Sequence, residues 1–218
     1  MASSKSIRIV FVTKNQYKKE ENELLAAHCM MADGTPIHEL FEFDIRAVPI
    51  QEILHVDLKV MVEAEVTSAY CLLKVPCILE HAGLIFADYS SDSYPGGLTK
   101  PMWDTLKDRF VEETKSAHRK AIARAVIAYC DGMTVKTFVG ERNGTIADKP
   151  RGKRSFYWDT VFIPDDPSGR SAGLTYAEIA DSPALGLPYK IRELSQSSAA
   201  MLQFLQYRLN VGDPQLWR

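Results

Sequence analysis

The chain has 218 residues, 46% of them hydrophobic and 25% charged, enough for one core-forming domain spanning residues 1–218. Its formal charge of −2 argues against nucleic-acid or membrane binding through a broadly basic face, so any anion must meet a local site. No apolar run approaches the roughly eighteen residues of a membrane span, and the opening MASSKSIRIVFVT lacks a small-residue cleavage pattern, so the expected location is the cytoplasm. Cys29, Cys71, Cys77 and Cys130 are widely spaced in apolar surroundings without a CxxC pair, and read as buried free thiols.

Taken in order, Ile7 to Thr13 is β-branched and nearly continuously apolar, the pattern of a strand covered on both faces. Asn15 then caps a helix running to about Met31, which Asp33-Gly34 and Pro36 stop. Glu39 to Ile45 alternates as a second strand, and Gln51 to Ala69 carries Ile53, Val56, Val60 and Ala64 in helical register. A third strand, Val75 to Leu79, ends at Glu80-His81, and Leu84 to Ala87 leads into the polar loop DYSSDSYPGG. Thr99 to Phe110 reads as helix. Asp131-Gly132 joins two β-prone runs, Ala121 to Tyr129 and Thr134 to Val139, as a hairpin. Val161 to Ile163 is a short strand, Thr175 to Ala180 a short helix, and Ser195 to Leu209 a terminal amphipathic helix. The class is α/β with a mixed twisted sheet.

Four stretches have residue types suited to chemistry. In VTKNQYKKEE, Thr13 and Asn15 lie where a strand gives way to a helix and Lys18 follows three residues on. Free N–H groups and the positive helix end suit phosphate there, although a plain capped helix gives the same pattern. In LEHAGL, Glu80 offers oxygens to a divalent cation and His81 a base or donor; as neighbours on an extended chain they point to opposite sides, and at most one is expected to face a given pocket. Pro95-Gly96-Gly97 is a tight turn with Lys100 just beyond it. In PRGKRSFYWD, the aromatic run can stack on a planar base and Asp159 can accept hydrogen bonds from ring N–H groups, but aromatics ahead of a strand also serve as core.

Read together and in order, these segments resemble the Ham1-like family, the inosine triphosphate pyrophosphatases that remove non-standard purine nucleotides. The T-x-N-x-x-K start stands at Thr13, Asn15 and Lys18, an acidic-then-Gly-Leu element at Glu80 to Leu84, and the P-G turn at Pro95-Gly96. The closing series is PRG at 150 to 152, FYWD at 156 to 159, FIPD at 162 to 165 and TYAE at 175 to 178. The resemblance implies an elongated two-lobed fold with a nucleoside triphosphate and Mg²⁺ in the cleft between the lobes, usually as a homodimer. The implied reaction splits the α–β phosphate bond with water. By position, Thr13, Asn15, Lys18, Lys100 and Lys190 would serve the phosphates, and Phe156, Trp158, Asp159 and Ser195 the base.

Several positions depart from the family pattern. His81 stands where the second of two acidic residues is usual, the family's metal-binding glutamate falls near Ala47 with Asp44 as a stand-in, and Tyr157 replaces a usual glycine. Ser195-Gln196-Ser197 replaces the base-contacting S-H-R, with Arg192 a candidate for the missing guanidinium. Glu80 and His81 remain the catalytic candidates, and Glu80 and Asp44 the metal candidates. Because an imidazole cannot replace carboxylate charge beside a cation and polyphosphate, the reading favoured from sequence is a catalytically weakened sensor. It would bind dITP or ITP and act on a partner effector protein, as in bacterial antiviral defence. The alternative is an active pyrophosphatase of dITP, ITP or XTP.

Overall fold

The computed structural model describes residues 6–114, 118–154 and 156–212. Strand β1 (Ile7–Val12) leads into helix α1 (Gln16–His28), followed by a single turn α2 (Ile37–Leu40), strand β2 (Phe41–Arg46) and helix α3 (Leu58–Leu73). Strand β3 (Cys77–Phe86), the two-residue β4 (Pro95–Gly96) and α4 (Thr99–Leu106) precede the hairpin of β5 (Lys120–Cys130) and β6 (Val135–Ile146). The chain closes with β7 (Phe162–Pro164), α5 (Tyr176–Asp181), α6 (Gly186–Tyr189), a π-turn over Lys190–Leu194 and α7 (Gln196–Val211). The sheet order is β2-β1-β3-β5-β6-β7, with β4 paired to β3. β1 pairs in parallel with β2 and β3, and the remaining ladders are antiparallel. The α/β class with a mixed sheet is the one read from the sequence.

Both faces of the central strands are buried, as their continuous apolar runs require. Ile9, Phe11 and Ile78 face α1 and α7 in a core with Leu25, Met201 and Phe204. Val10, Val12, Cys77 and Leu79 face α3, meeting Leu58, Val62 and Val66. A third cluster around Phe86, Phe110, Trp158, Phe162 and Tyr176 fills the other half of the molecule.

Element boundaries shift from the sequence reading where capping chemistry intervenes. Asp57 accepts a hydrogen bond from the Lys59 N–H and starts α3, so the segment 51–56 stays outside the helix although its apolar spacing is helical. The Asp131-Gly132 hairpin is present, with Asp131 Oδ1 accepting from the N–H groups of Met133 and Thr134 and Gly132 at φ 90°. The thiols of Cys29, Cys77 and Cys130 are free and buried, whereas Cys71 is free and exposed on α3, correcting the expectation for that residue. Among the described residues no helix is long and apolar enough to cross a membrane; the amino-terminal residues 1–5, read for a leader, lie outside them.

The largest departure decides where the site lies. The residues expected to end one strand and begin another form a single ten-residue strand, β3, that runs through Glu80 and His81. Its last pairing with β1 is Phe11↔Ile78 and its first with β4 is Leu84↔Gly96. Among the described residues, 79–83 therefore have no strand neighbour on that edge, just past the carboxyl end of β1. Gly83 is required at the end of this gap, because a Cβ there would collide with the Gly96 carbonyl oxygen.

Candidate functional site

The open edge of β3 forms one wall of a cleft of about 440 Å³ whose lining includes Thr13, Asn15, Lys18, Glu80, His81 and Lys100. The loop after β1 is folded locally. The Asn15 N–H donates to Thr13 Oγ1 at 3.1 Å, and Asn15 Oδ1 accepts from the N–H groups of Tyr17 at 2.9 Å and Lys18 at 3.3 Å. Asn15 thus spends its carbonyl oxygen on the cap, and the amino end of α1 opens on the cleft with the positive end of its dipole. The Lys18 ammonium reaches across the gap, donating to the Glu80 backbone carbonyl at 2.5 Å and lying 3.8 Å from Glu80 Oε1. Lysine so fills the place of a missing strand and is fixed beside the cleft.

Glu80 and His81 leave opposite faces of β3, as expected, but both line this cleft. The edge between them is uncovered, and the cleft wraps around it. Glu80, 8% exposed, turns to the α7 side, where Ser197 Oγ donates to its Oε1 at 2.9 Å. His81 turns to the α3 side, where its Nε2 lies 2.7 Å from Oε2 of Glu65. Glu65 is 1% exposed, and its other oxygen accepts the Ile53 N–H at 3.2 Å. The sequence reading missed Glu65. Its signal was a charged residue on the apolar stripe of α3, between Val62 and Val66.

Asp44 is the metal candidate that the structure removes. Its carboxylate faces Arg8 at 2.6 Å and Arg46 at 2.9 Å on β2, outside the cleft lining, and the Arg46 hydrogen bond leads in holding its pKa low. The carboxylate that the irregular 51–56 segment brings to the cleft is Glu52. Among the described residues no three His, Cys, Asp or Glu side chains come together as a metal cage. Mg²⁺ is ordinarily taken by one or two carboxylates plus substrate phosphates and water, a donor set to which Glu80 on the cleft wall could contribute.

A smaller chamber of about 70 Å³ adjoins the cleft and shares Lys18, Glu80, His81 and Tyr157 with it. Phe156, Trp158 and Asp159 line it, as does Lys190, which lies here and not among the residues of the larger cleft. Lys190, 2% exposed, donates to Asp159 Oδ2 at 2.5 Å and Glu21 Oε1 at 2.9 Å. Burial works against its charge, but the two carboxylates hold its pKa above the usual lysine value. Burial also pushes the Asp159 carboxyl up to about 6 despite the pull of Lys190.

The other base candidates divide. Phe156 stacks on Tyr17 with centroids 4.8 Å apart, and Arg154 lies over the Tyr17 ring while pairing with Glu20 and Glu21. Trp158 packs edge-on to Phe162 and against Tyr176, so most of it is core and only part meets the chamber. Ser195 is the N-cap of α7, its hydroxyl accepting the Ser198 N–H; Gln196 and Ser197 reach the chamber in its place. Arg192 is half exposed and paired with Glu193, so it supplies no guanidinium to the chamber. The PRG turn is framework: Arg151 donates to the Gly173 carbonyl and pairs with Glu178, and Gly152, at φ 90°, packs directly on Ala177.

Comparison with known proteins agrees with this architecture. The Ham1 family pattern matches residues 9–183. A dITP/XTP pyrophosphatase of Pyrobaculum aerophilum is 28% identical over 196 residues, covering 88% of this chain and 95% of that protein. An inosine triphosphate pyrophosphatase of Kluyveromyces lactis is 28% identical over 209 residues, covering 94% of this chain and 97% of its own. The solved HAM1 protein from Coxiella burnetii shares the fold, with a TM-score of 0.64 at 22% identity over 94% of this chain and 98% of that one. With the family pattern spanning the first strand through the TYAE helix, this chain belongs to the Ham1 family.

Proposed function

We propose that this protein is an active pyrophosphatase of non-standard purine nucleoside triphosphates such as dITP, ITP or XTP. The observation that carries the reading is the contact of His81 with the buried carboxylate of Glu65, beside Glu80 and Lys18 at the junction of cleft and chamber. The case for a weakened sensor rested on carboxylate charge lost at His81. Glu65 places a carboxylate against His81, which supports retained catalysis. The activities named for the Pyrobaculum and Kluyveromyces relatives point the same way.

In this reading the chain is one unit of two lobes with the triphosphate between them. The amino end of α1, Thr13, the Asn15 amide, Lys18 and Lys100 hold the phosphates. Asp159, kept in place by Lys190, accepts from the purine ring N–H. Glu65 orients the His81 imidazole, which takes a proton from water as the water oxygen bonds to the α-phosphorus and the bond to the bridging oxygen breaks, releasing pyrophosphate and the monophosphate. Mg²⁺ arriving with the nucleotide would be held by Glu80 and phosphate oxygens, and would supply charge neutralisation for the leaving pyrophosphate. Pyrophosphate release from dITP with Mg²⁺ tests the proposal: turnover on the order of 1 s⁻¹ or more is expected, and a dITP-induced thermal shift without turnover would restore the sensor reading.

A further inference from the structure

Tyr157 has a backbone conformation that side chains rarely adopt, φ 48°, at the point where the phosphate cleft and the base chamber meet. Strained residues of this kind persist where neighbours hold them, and they concentrate at ligand sites. Here the neighbours are evident. The Lys100 ammonium lies 5.4 Å from the centre of the Tyr157 ring, and the Phe156 ring centre is 5.4 Å from it. Turn hydrogen bonds from Asp159 N–H to the Phe156 carbonyl and from Val161 N–H to the Trp158 carbonyl fix the backbone around it.

Among the described residues, four line both cavities: Lys18, Glu80, His81 and Tyr157. A nucleotide with its base at Asp159 and its phosphates at the amino end of α1 must pass its sugar between them. Three of the four, Lys18, Glu80 and His81, carry groups suited to work at the phosphate. Tyr157 presents an aromatic ring, a surface on which the carbon face of a sugar packs well and against which an extra hydroxyl loses its water partners.

We propose that Tyr157 reads the sugar: its ring closes the space that a 2′-hydroxyl would occupy, making the protein selective for 2′-deoxyribonucleoside triphosphates over their ribose counterparts. The inference rests on the nucleotide orientation proposed above and adds to it the sugar class. No partner residue is needed, because Lys100 and Phe156 hold the ring within the same chain.

The test compares kcat/KM for dITP and ITP in the wild type, Tyr157→Phe and Tyr157→Gly, with equilibrium binding of both nucleotides measured alongside. Glycine adopts the φ of this position without strain, so Tyr157→Gly keeps the turn. The wild type is expected to favour dITP by roughly tenfold or more, the order of discrimination that one sterically rejected group provides. Tyr157→Phe should keep that ratio, and Tyr157→Gly should bring it near unity. A wild type that uses or binds both equally overturns the proposal, as does a ratio kept in Tyr157→Gly. Loss of the ratio in Tyr157→Phe also overturns it, because the phenol hydroxyl and not the ring would then be the reader. If neither nucleotide binds or is hydrolysed by the wild type, the orientation itself fails and the sugar reading goes with it.

Discussion

His81 Nε2 and Glu65 Oε2 lie 2.7 Å apart across the gap between β3 and α3, although sixteen positions separate them in the chain. A carboxylate 1% exposed beside an imidazole on the open edge of a strand is the arrangement from which the proposed chemistry follows. His81→Ala should lower kcat on dITP by roughly 10² or more, the usual scale for removing a positioned acid/base group. Glu65→Gln preserves an acceptor for the Ile53 N–H and so keeps the fold, but removes the charge facing the imidazole; a loss of about tenfold or more in kcat with little change in KM is expected. Steady-state kinetics with melting curves as the folding control would check both.

Lys18 is tied to Glu80 by its backbone carbonyl and stands at the amino end of α1. Lys18→Ala should abolish the dITP-induced thermal shift. In the nucleotide-free protein it should cost about 1 kcal/mol, the net worth of one hydrogen bond. A shift of wild-type size in the variant would place the phosphates elsewhere.

The proposed role of Asp159 predicts a pH dependence for nucleotide binding. Burial raises its folded pKa to about 6 from an ordinary value of 3.8. Its contribution to stability is therefore fully present below the unfolded pKa and is lost as pH rises through about 6. In the proposed binding mode recognition runs the other way, since the ionised carboxylate is the stronger acceptor for the purine N–H. Affinity for dITP should weaken as pH falls through about 6, and Asp159→Asn should flatten that titration. Calorimetric binding between pH 5 and pH 8 reads both.

Gly83 marks the end of the open edge of β3, where β4 crosses too close for any side chain. Gly83→Ala should destabilise the protein by about 3 kcal/mol or more, because the obstruction is backbone and cannot rotate aside. Chemical denaturation would measure it, and the loss should exceed that of Gly169→Ala, where a Cβ would meet nothing within 4 Å.

Much of this was legible in the residues. The buried strands announced themselves by continuous apolar runs, the Asp131-Gly132 hairpin by its turn chemistry, helix α1 by its cap Asn15, and α5 and α7 by their residue patterns from Thr175 and Ser195. What stayed hidden depends on contacts between distant segments. No local pattern shows that β1 stops pairing with β3 at Ile78, yet that places Glu80 and His81 on an open edge inside one strand and not at its end. Glu65 sits in a helix whose periodicity says only that its face is buried. Lys190 and Asp44 read alike as charged residues near suitable motifs, and only their partners, Asp159 and Glu21 for one and Arg8 and Arg46 for the other, separate a chamber residue from an outlying ion pair.

The most direct test of the central claim is to incubate the purified protein with dITP and Mg²⁺ in ¹⁸O-labelled water and resolve the products by phosphorus NMR and mass spectrometry. Attack at the α-phosphorus predicts deoxyinosine monophosphate carrying the label, together with unlabelled pyrophosphate. Labelled inorganic phosphate with the diphosphate, or bound dITP that is never cleaved, would contradict it.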